Sequence, residues 1–346
     1  MKFKSFLGLL AGLSSVFFYV PKTMAETSEN PQWLSYKGGE GPGKGKHVVL
    51  IAADQEYRSE QALPMLARIL STHHGFDTTV LFSVNDEGMV DPTLATPKRG
   101  EEATSRKHII PGLDQIAKAD VLILFTRFMS LAEDQQKLIV DYFDSGKPII
   151  ALRSSNHGFW GQLPYKINDQ QVTLSQIFGG SFMNHHGEWS ADSTRGDIVP
   201  EMKDHPIVKG VKDIWGLTDV YRTFPEGGKL PEGCTALVYG QPLIGRVQGG
   251  ANNPEKEPLP VIWVKNWKTS TGKEVRILHS TMGSGKDFEN PGLRRIVVNG
   301  VYWGLNLEDK IKADSSVEYV GEYTPISSGF HYEKLGVVPH PVSFYR

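Results

Sequence analysis

Five histidines, His157, His185, His186, His205 and His279, fall in segments that read as loops or strand ends, outside any helical pattern. An imidazole moves protons near neutral pH or ligates metals, so histidines held in loops invite a chemical reading. Arginines and aromatics recur in the same segments: Glu56, Tyr57 and Arg58, then Arg127 and Phe128, then Arg153 through His157, with Tyr221 further on. A guanidinium never loses its proton at working pH and can hold a developing oxyanion. Aromatic faces stack on the apolar faces of sugars while charged groups bind hydroxyls. These residue types describe a site for a polar small molecule. His157 or His279 serves as general base, Arg153 as the fixed charge facing the substrate oxygen, and Glu56 as a catalytic carboxylate. Tyr57, Arg58, Arg127, Phe128, His185, His186 and Tyr221 are the expected substrate contacts.

Other chemistries find less support. Arg153-Ser154-Ser155 stands where a strand turns into a loop, as a nucleophile elbow does, but G-x-S-x-G is missing and no Cys sits at the turn. A Ser-dependent hydrolase therefore stays a weaker alternative. The one cysteine, Cys234, opens a later strand and reads as a packed thiol. His185-His186 lacks the H-E-x-x-H spacing of zinc enzymes. No cofactor is called for, although the ligand types leave a divalent metal open. No phosphate-cradling motif follows a strand.

The elements that must position these residues alternate. His47 to Ala53 is a continuous apolar run, as for a strand buried on both faces. A helix opens at Ser59, with Leu63, Leu66, Ala67 and Leu70 on one face, and stops at Gly75. Phe76 to Phe82, Val121 to Phe125 and Pro148 to Leu152 read as strands. Ser130 with Glu133 predicts a capping box for a second helix, running to about Ser145. This spacing gives right-handed βαβ units, a parallel sheet covered on both faces, and ligands beyond its C-terminal edge. Asn85 to Lys107 is a long loop without periodicity. Regularity weakens after about residue 160; strands are expected over 235–239, 261–264 and 275–279, and a helix from Pro291 to Leu305.

The chain has 346 residues, with 37 Lys and Arg against 39 Asp and Glu. That balance offers no basic face for nucleic acid, and a lone cysteine excludes an internal disulfide framework. Lys2 and Lys4 precede an apolar stretch to Val20, and Thr23-Met24-Ala25 ends in small residues at −3 and −1. This reads as a secretory signal cleaved after Ala25, leaving an exported protein, periplasmic or secreted, with no stable membrane insertion. The expected organisation is a signal over 1–25, a linker or arm over 26–46, an α/β domain over 47–305 and a wrapping extension over 306–346.

Several motifs together resemble the ThuA-like (trehalose utilisation) family. They are Asp54-Gln55-Glu56-Tyr57-Arg58-Ser59-Glu60, Arg127-Phe128, Ser145 through Phe159, Phe178-Gly179-Gly180 with His185-His186-Gly187, and His205-Pro206-Ile207. Leu278 to Gly283, Glu289-Asn290-Pro291 and Asn299 to Trp303 complete the set, so the resemblance spans about residues 46–335. It implies a flavodoxin-like, class I glutamine amidotransferase-like three-layer α/β/α fold with a mostly parallel sheet and without the amidotransferase cysteine. It also implies sugar catabolism, with trehalose-related 3-keto-glycosides as substrate class and a small carbohydrate as partner. A sugar-binding module without catalysis is the alternative.

Overall fold

The computed structural model describes residues 32–94, 108–224 and 230–346. The expected signal peptide, residues 95–107 of the long loop and residues 225–229 lie outside this set. A short edge strand, β1 (Leu34–Tyr36), precedes the apolar run, which forms β2 (His47–Ala53). Its period of two explains its composition: Val48, Leu50 and Ala52 enter one core, while Val49, Ile51 and Ala53 enter another on the opposite face. Each such side chain contributes roughly 1.5–3 kcal/mol by leaving water. Helix α1 (Ser59–His74) follows, and Gly75 ends it at φ 80°, its N–H reaching the carbonyls of Leu70 and Ser71. Then come β3 (Asp77–Phe82), β4 (Val121–Thr126), α2 (Glu133–Phe143) and β5 (Ile149–Leu152).

Ser130 does not cap α2. The helix begins one residue after Ala132, which makes no side-chain cap, because Leu131 is still extended and bridged to His108. Beyond β5 lie the small hairpin β6 (Lys166–Ile167) and β7 (Gln170–Gln171), then α3 (Leu174–Phe178) and β8 (Asn184–His186). Four strands follow: β9 (Ser193–Ile198), β10 (Trp215–Gly216), β11 (Val220–Arg222) and β12 (Cys234–Leu243). The last elements are β13 (Leu259–Lys268), β14 (Glu274–Ser280), α4 (Pro291–Gly304) and α5 (Tyr332–Leu335).

Ten strands make one sheet in the order β1-β3-β2-β4-β5-β14-β13-β12-β9-β10. The run β3-β2-β4-β5-β14 is parallel throughout and has the flavodoxin-like order 2-1-3-4-5. The strands from β13 to β10 add an antiparallel wing that the sequence pattern did not announce. Helices α1 and α4 cover one face, α2 and α3 the other, giving three layers. Strands β8 and β11 pair as a separate ribbon over the sheet edge. Residues after α4 run back across α1: His74 meets the carbonyl of Ser316, Arg68 donates to Val320, and Tyr345 stacks on Phe82. Among the described residues no helix is long and apolar enough to cross a membrane.

Candidate functional site

The floor of the site is built at the ends of the parallel strands. After β2, the Asp54 carboxylate accepts from the N–H groups of Glu56 (2.7 Å) and Tyr57 (2.6 Å), folding the chain into an Asx turn. Its other oxygen accepts from the Ser154 hydroxyl, tying this loop to the one after β5. There the elbow residue is Arg153, held at φ 50°, with a 3-10 turn running on to His157. A left-handed non-glycine residue costs on the order of 1–3 kcal/mol, so its surroundings must hold it. They do: the guanidinium lies 3.9 Å from the ring centre of Tyr57 and 4.8 Å from that of Tyr221. One of its nitrogens, Nη1, donates to the carbonyls of Asp219 (2.8 Å) and Thr281 (2.6 Å). A desolvated cation–π contact is worth about 2 kcal/mol, enough with the hydrogen bonds to offset the strain. Burial pushes the Tyr57 and Tyr221 phenols above their usual range, so both stay protonated.

The rim is different. His185, on β8, faces Tyr221 of β11 across the ribbon, and its Nδ1 lies 2.7 Å from Oδ2 of buried Asp219. A carboxylate on Nδ1 fixes the proton there and leaves Nε2 as the basic atom. The His185 side chain is 38% exposed. Its ring packs edge-on against Phe182 and Tyr221; that of His157 meets Tyr221 edge-on and Phe182 at a tilt. His157 Nδ1 meets Asn156 Oδ1 at 2.7 Å, and Phe128 covers its third side. Burial, with Arg127 and the other nearby cationic groups adding to it, holds His157 far below the usual imidazole range and hence neutral.

Arg127 completes the rim. Its Nε lies 3.3 Å from Oε2 of Glu56, and its guanidinium sits between the rings of Phe128 and Phe330, 4.9 Å from each. The other Glu56 oxygen accepts from the Trp189 indole at 3.1 Å. Burial raises the Glu56 carboxyl, and Arg127 counters that shift. The result is a rim on which Phe128, Phe182, Trp189 and Phe330 stand around one oriented imidazole and one guanidinium that solvent reaches.

Glu56, Tyr57, Arg127, Phe128, Arg153, His157, His185 and Tyr221 are thus brought together. Three other candidates are not. Arg58 is fully buried at φ 61°; its Nη2 donates to the carbonyls of Gln55, Glu56 and Gly329 and its Nη1 lies 3.8 Å from Glu60, so it braces the loop and, sealed from solvent, presents no donor to a substrate. His186 alternates to the far side of β8, where Nε2 meets the carbonyl of Glu257 at 2.7 Å. His279 is 0% exposed between Trp263 and Phe178, with no partner on either ring nitrogen, and burial pushes it down to about 3. It cannot take a proton from a ligand in the crevice. Arg153 is in the right place, yet it is sealed beneath two rings and reaches a ligand only through them.

The elbow serines are also committed. Ser154 bonds Asp54, while Ser155 donates to the carbonyls of Leu124 and Leu152 and accepts from Thr126 N–H. Cys234 opens β12 beside Gly179, its thiol raised by burial. Among the described residues no cluster of three or more His, Cys, Asp or Glu could hold a metal.

Asp54, Phe182, Trp189 and Asp219 are not among the site residues expected from the sequence. Asp54 carried a signal, an acid directly after a buried strand and two residues before the turn it closes. Asp219 carried none, because β8 and β11 pair across more than thirty residues.

No family model matches this chain, and no curated protein matches it. Among solved structures it is similar to a protein of Bacteroides uniformis described as ThuA-like. The two are 12% identical with a TM-score of 0.46, over 77% of this chain and 93% of that one. A Parabacteroides merdae protein, also described as ThuA-like, is 13% identical with a TM-score of 0.43, over 88% of this chain and 99% of that one. In the course of its chain this protein is similar to these two structures.

Proposed function

We propose that this chain is a ThuA-like enzyme of carbohydrate catabolism, in which His185 moves a proton on a sugar or 3-keto-glycoside. The observation that carries this reading is the His185–Asp219 contact of 2.7 Å at the solvent-reached edge of an aromatic crevice. A 3-keto-glycoside is acidic at the carbon between the ketone and the anomeric centre. His185 Nε2 takes that proton, and the C–H electron pair becomes an enolate whose oxygen faces Arg127. The enolate pair then expels the anomeric oxygen, which leaves as an alcohol after taking a proton from the imidazolium. The reaction is an elimination and needs no oxidant. Glu56 holds Arg127 and Trp189 in place, so its part is positioning.

The aromatic walls also favour a second reading, a sugar-binding module without turnover, and one experiment separates the two. Wild type and Asp219→Asn are incubated with a 3-keto-glucoside, and alcohol release and ligand binding are both followed. The elimination reading expects a loss of 10²–10⁴-fold in rate with binding within about threefold. Equal rates in both proteins sink it, and saturable binding without release in the wild type leaves the module. Export belongs to the same proposal. Intact mass of the exported protein is expected to begin at Glu26, and a retained leader would refute that part.

A further inference from the structure

Beside His157 lies a cavity of about 200 Å³ that the reaction above does not use. Phe159, Leu163, Val172 and Ile177 line it, with Leu174 and Ser175 of α3. Its lining also carries polar groups, among them His157, Asn156, Gln162 and Ser181. Asn156 is buried and gives Oδ1 to His157 Nδ1, while its Nδ2 has no partner. A buried amide N–H without an acceptor is unfavourable and calls for one.

We propose that this cavity is a subsite for one aromatic ring carrying a single polar substituent, and that the ring is the leaving group of the glycoside. The second half rests on the functional reading above. Three observations support the assignment. An apolar cavity of about 150 Å³ holds benzene, so 200 Å³ admits a phenol-sized group and little more. Phe159, Leu163, Val172 and Ile177 offer apolar faces that suit a ring, while Gln162, Thr173 and Ser181 in the same lining can meet its one polar substituent. His157 is the wall shared with the crevice: its ring and that of His185 pack against the same Phe182 and Tyr221. A ligand straddling His157 puts its bridging oxygen beside His157 and Asn156, its ring in the cavity and its sugar beside His185 and Arg127. The elimination then releases a phenol, a better leaving group than an alkyl alcohol.

The test uses the full-length mature protein and 4-fluorophenol followed by fluorine NMR, alongside binding of phenyl and methyl β-glucosides. A saturable fluorine shift is expected in the wild type and in His185→Ala. It is expected to vanish in Leu174→Trp, which fills the cavity. Should that variant fail to fold, Ser175→Phe in the same lining carries the same test. The phenyl glucoside is expected to bind roughly tenfold more tightly than the methyl glucoside in the wild type, with the preference falling below about twofold in a filled variant. No saturable shift in the wild type, or a shift undiminished in both filled variants, overturns the subsite. A fluorophenol response that the filling variants abolish, with neither glucoside binding, supports the ring site and overturns the sugar assignment of the crevice.

Discussion

His185 and His279 both lie among aromatic rings near strand ends, and as residue types they are interchangeable. What surrounds them is not. His185 has a buried carboxylate on one nitrogen and solvent near the other, so its proton is placed and its free nitrogen is usable. His279 has Trp263 at 4.5 Å and Phe178 at 6.2 Å, no hydrogen-bond partner and no exposure. The first is the group to which the proposed reaction assigns the proton transfer; the second is a core residue. Partner and access, rather than the imidazole, separate the two regions.

The largest expected effect breaks this comparison from the His185 side. His185→Ala lowers turnover of a 3-keto-glycoside by 10²–10⁴-fold, while His279→Leu leaves it within about twofold; equal losses in steady-state assays would erase the distinction. Next comes Arg153→Ala, which removes the stacked cation and leaves the carbonyls of Asp219 and Thr281 without their donor. Urea unfolding is expected to show a loss of about 3 kcal/mol, and a loss under 1 kcal/mol would mean that the elbow holds itself.

The third effect belongs to His279 and concerns pH. Its pKa falls from the ordinary imidazole value to about 3 on folding, because burial penalises the charged form. Between pH 6.5 and 3 the unfolded chain therefore binds a proton that the native state does not. Its contribution is whole above about pH 6.5 and is lost as pH falls, by ~1.4 kcal/mol per unit at the steepest. His157 and His108 are depressed in the same direction and add to the slope, while buried Glu60, raised to about 7, opposes it. His279→Leu is expected to remove about one proton's worth of it in urea melts between pH 6 and 4.5; an unchanged slope counts against the burial argument. The smallest effect is that of Cys234→Ser, expected within about 0.5 kcal/mol and without loss of turnover, since the thiol lies away from the elbow.

Much of the parallel half was legible because β2, β4 and β5 are nearly unbroken apolar runs feeding two cores. His47–Ala53, Val121–Thr126 and Ile149–Leu152 could hardly be anything else, and their ends carry Glu56, Arg127 and Arg153. The antiparallel half was not legible in the same way. Strand β9, Ser-Thr-Arg-Gly-Asp-Ile, has one apolar residue and is a strand only because β12 and β10 hydrogen-bond to its edges. The Asn184–His186 ribbon is likewise set by a distant partner. Its pairing decides that His185 enters the crevice and His186 leaves it, a choice of parity that no local pattern encodes.

The Gly329–Phe330 step has a consequence for how the molecule ages. Gly329 donates to the carbonyl of Glu56 and accepts from Arg58, and Phe330 roofs Arg127. The crevice is therefore stitched to a stretch of chain more than 270 residues away in sequence. A single protease nick in the loops between α4 and Gly329 would leave the sheet intact while loosening that stitch. Such a clipped molecule would melt almost as before and yet have lost one side of its working face, so wear would register first in the chemistry and only later in the fold.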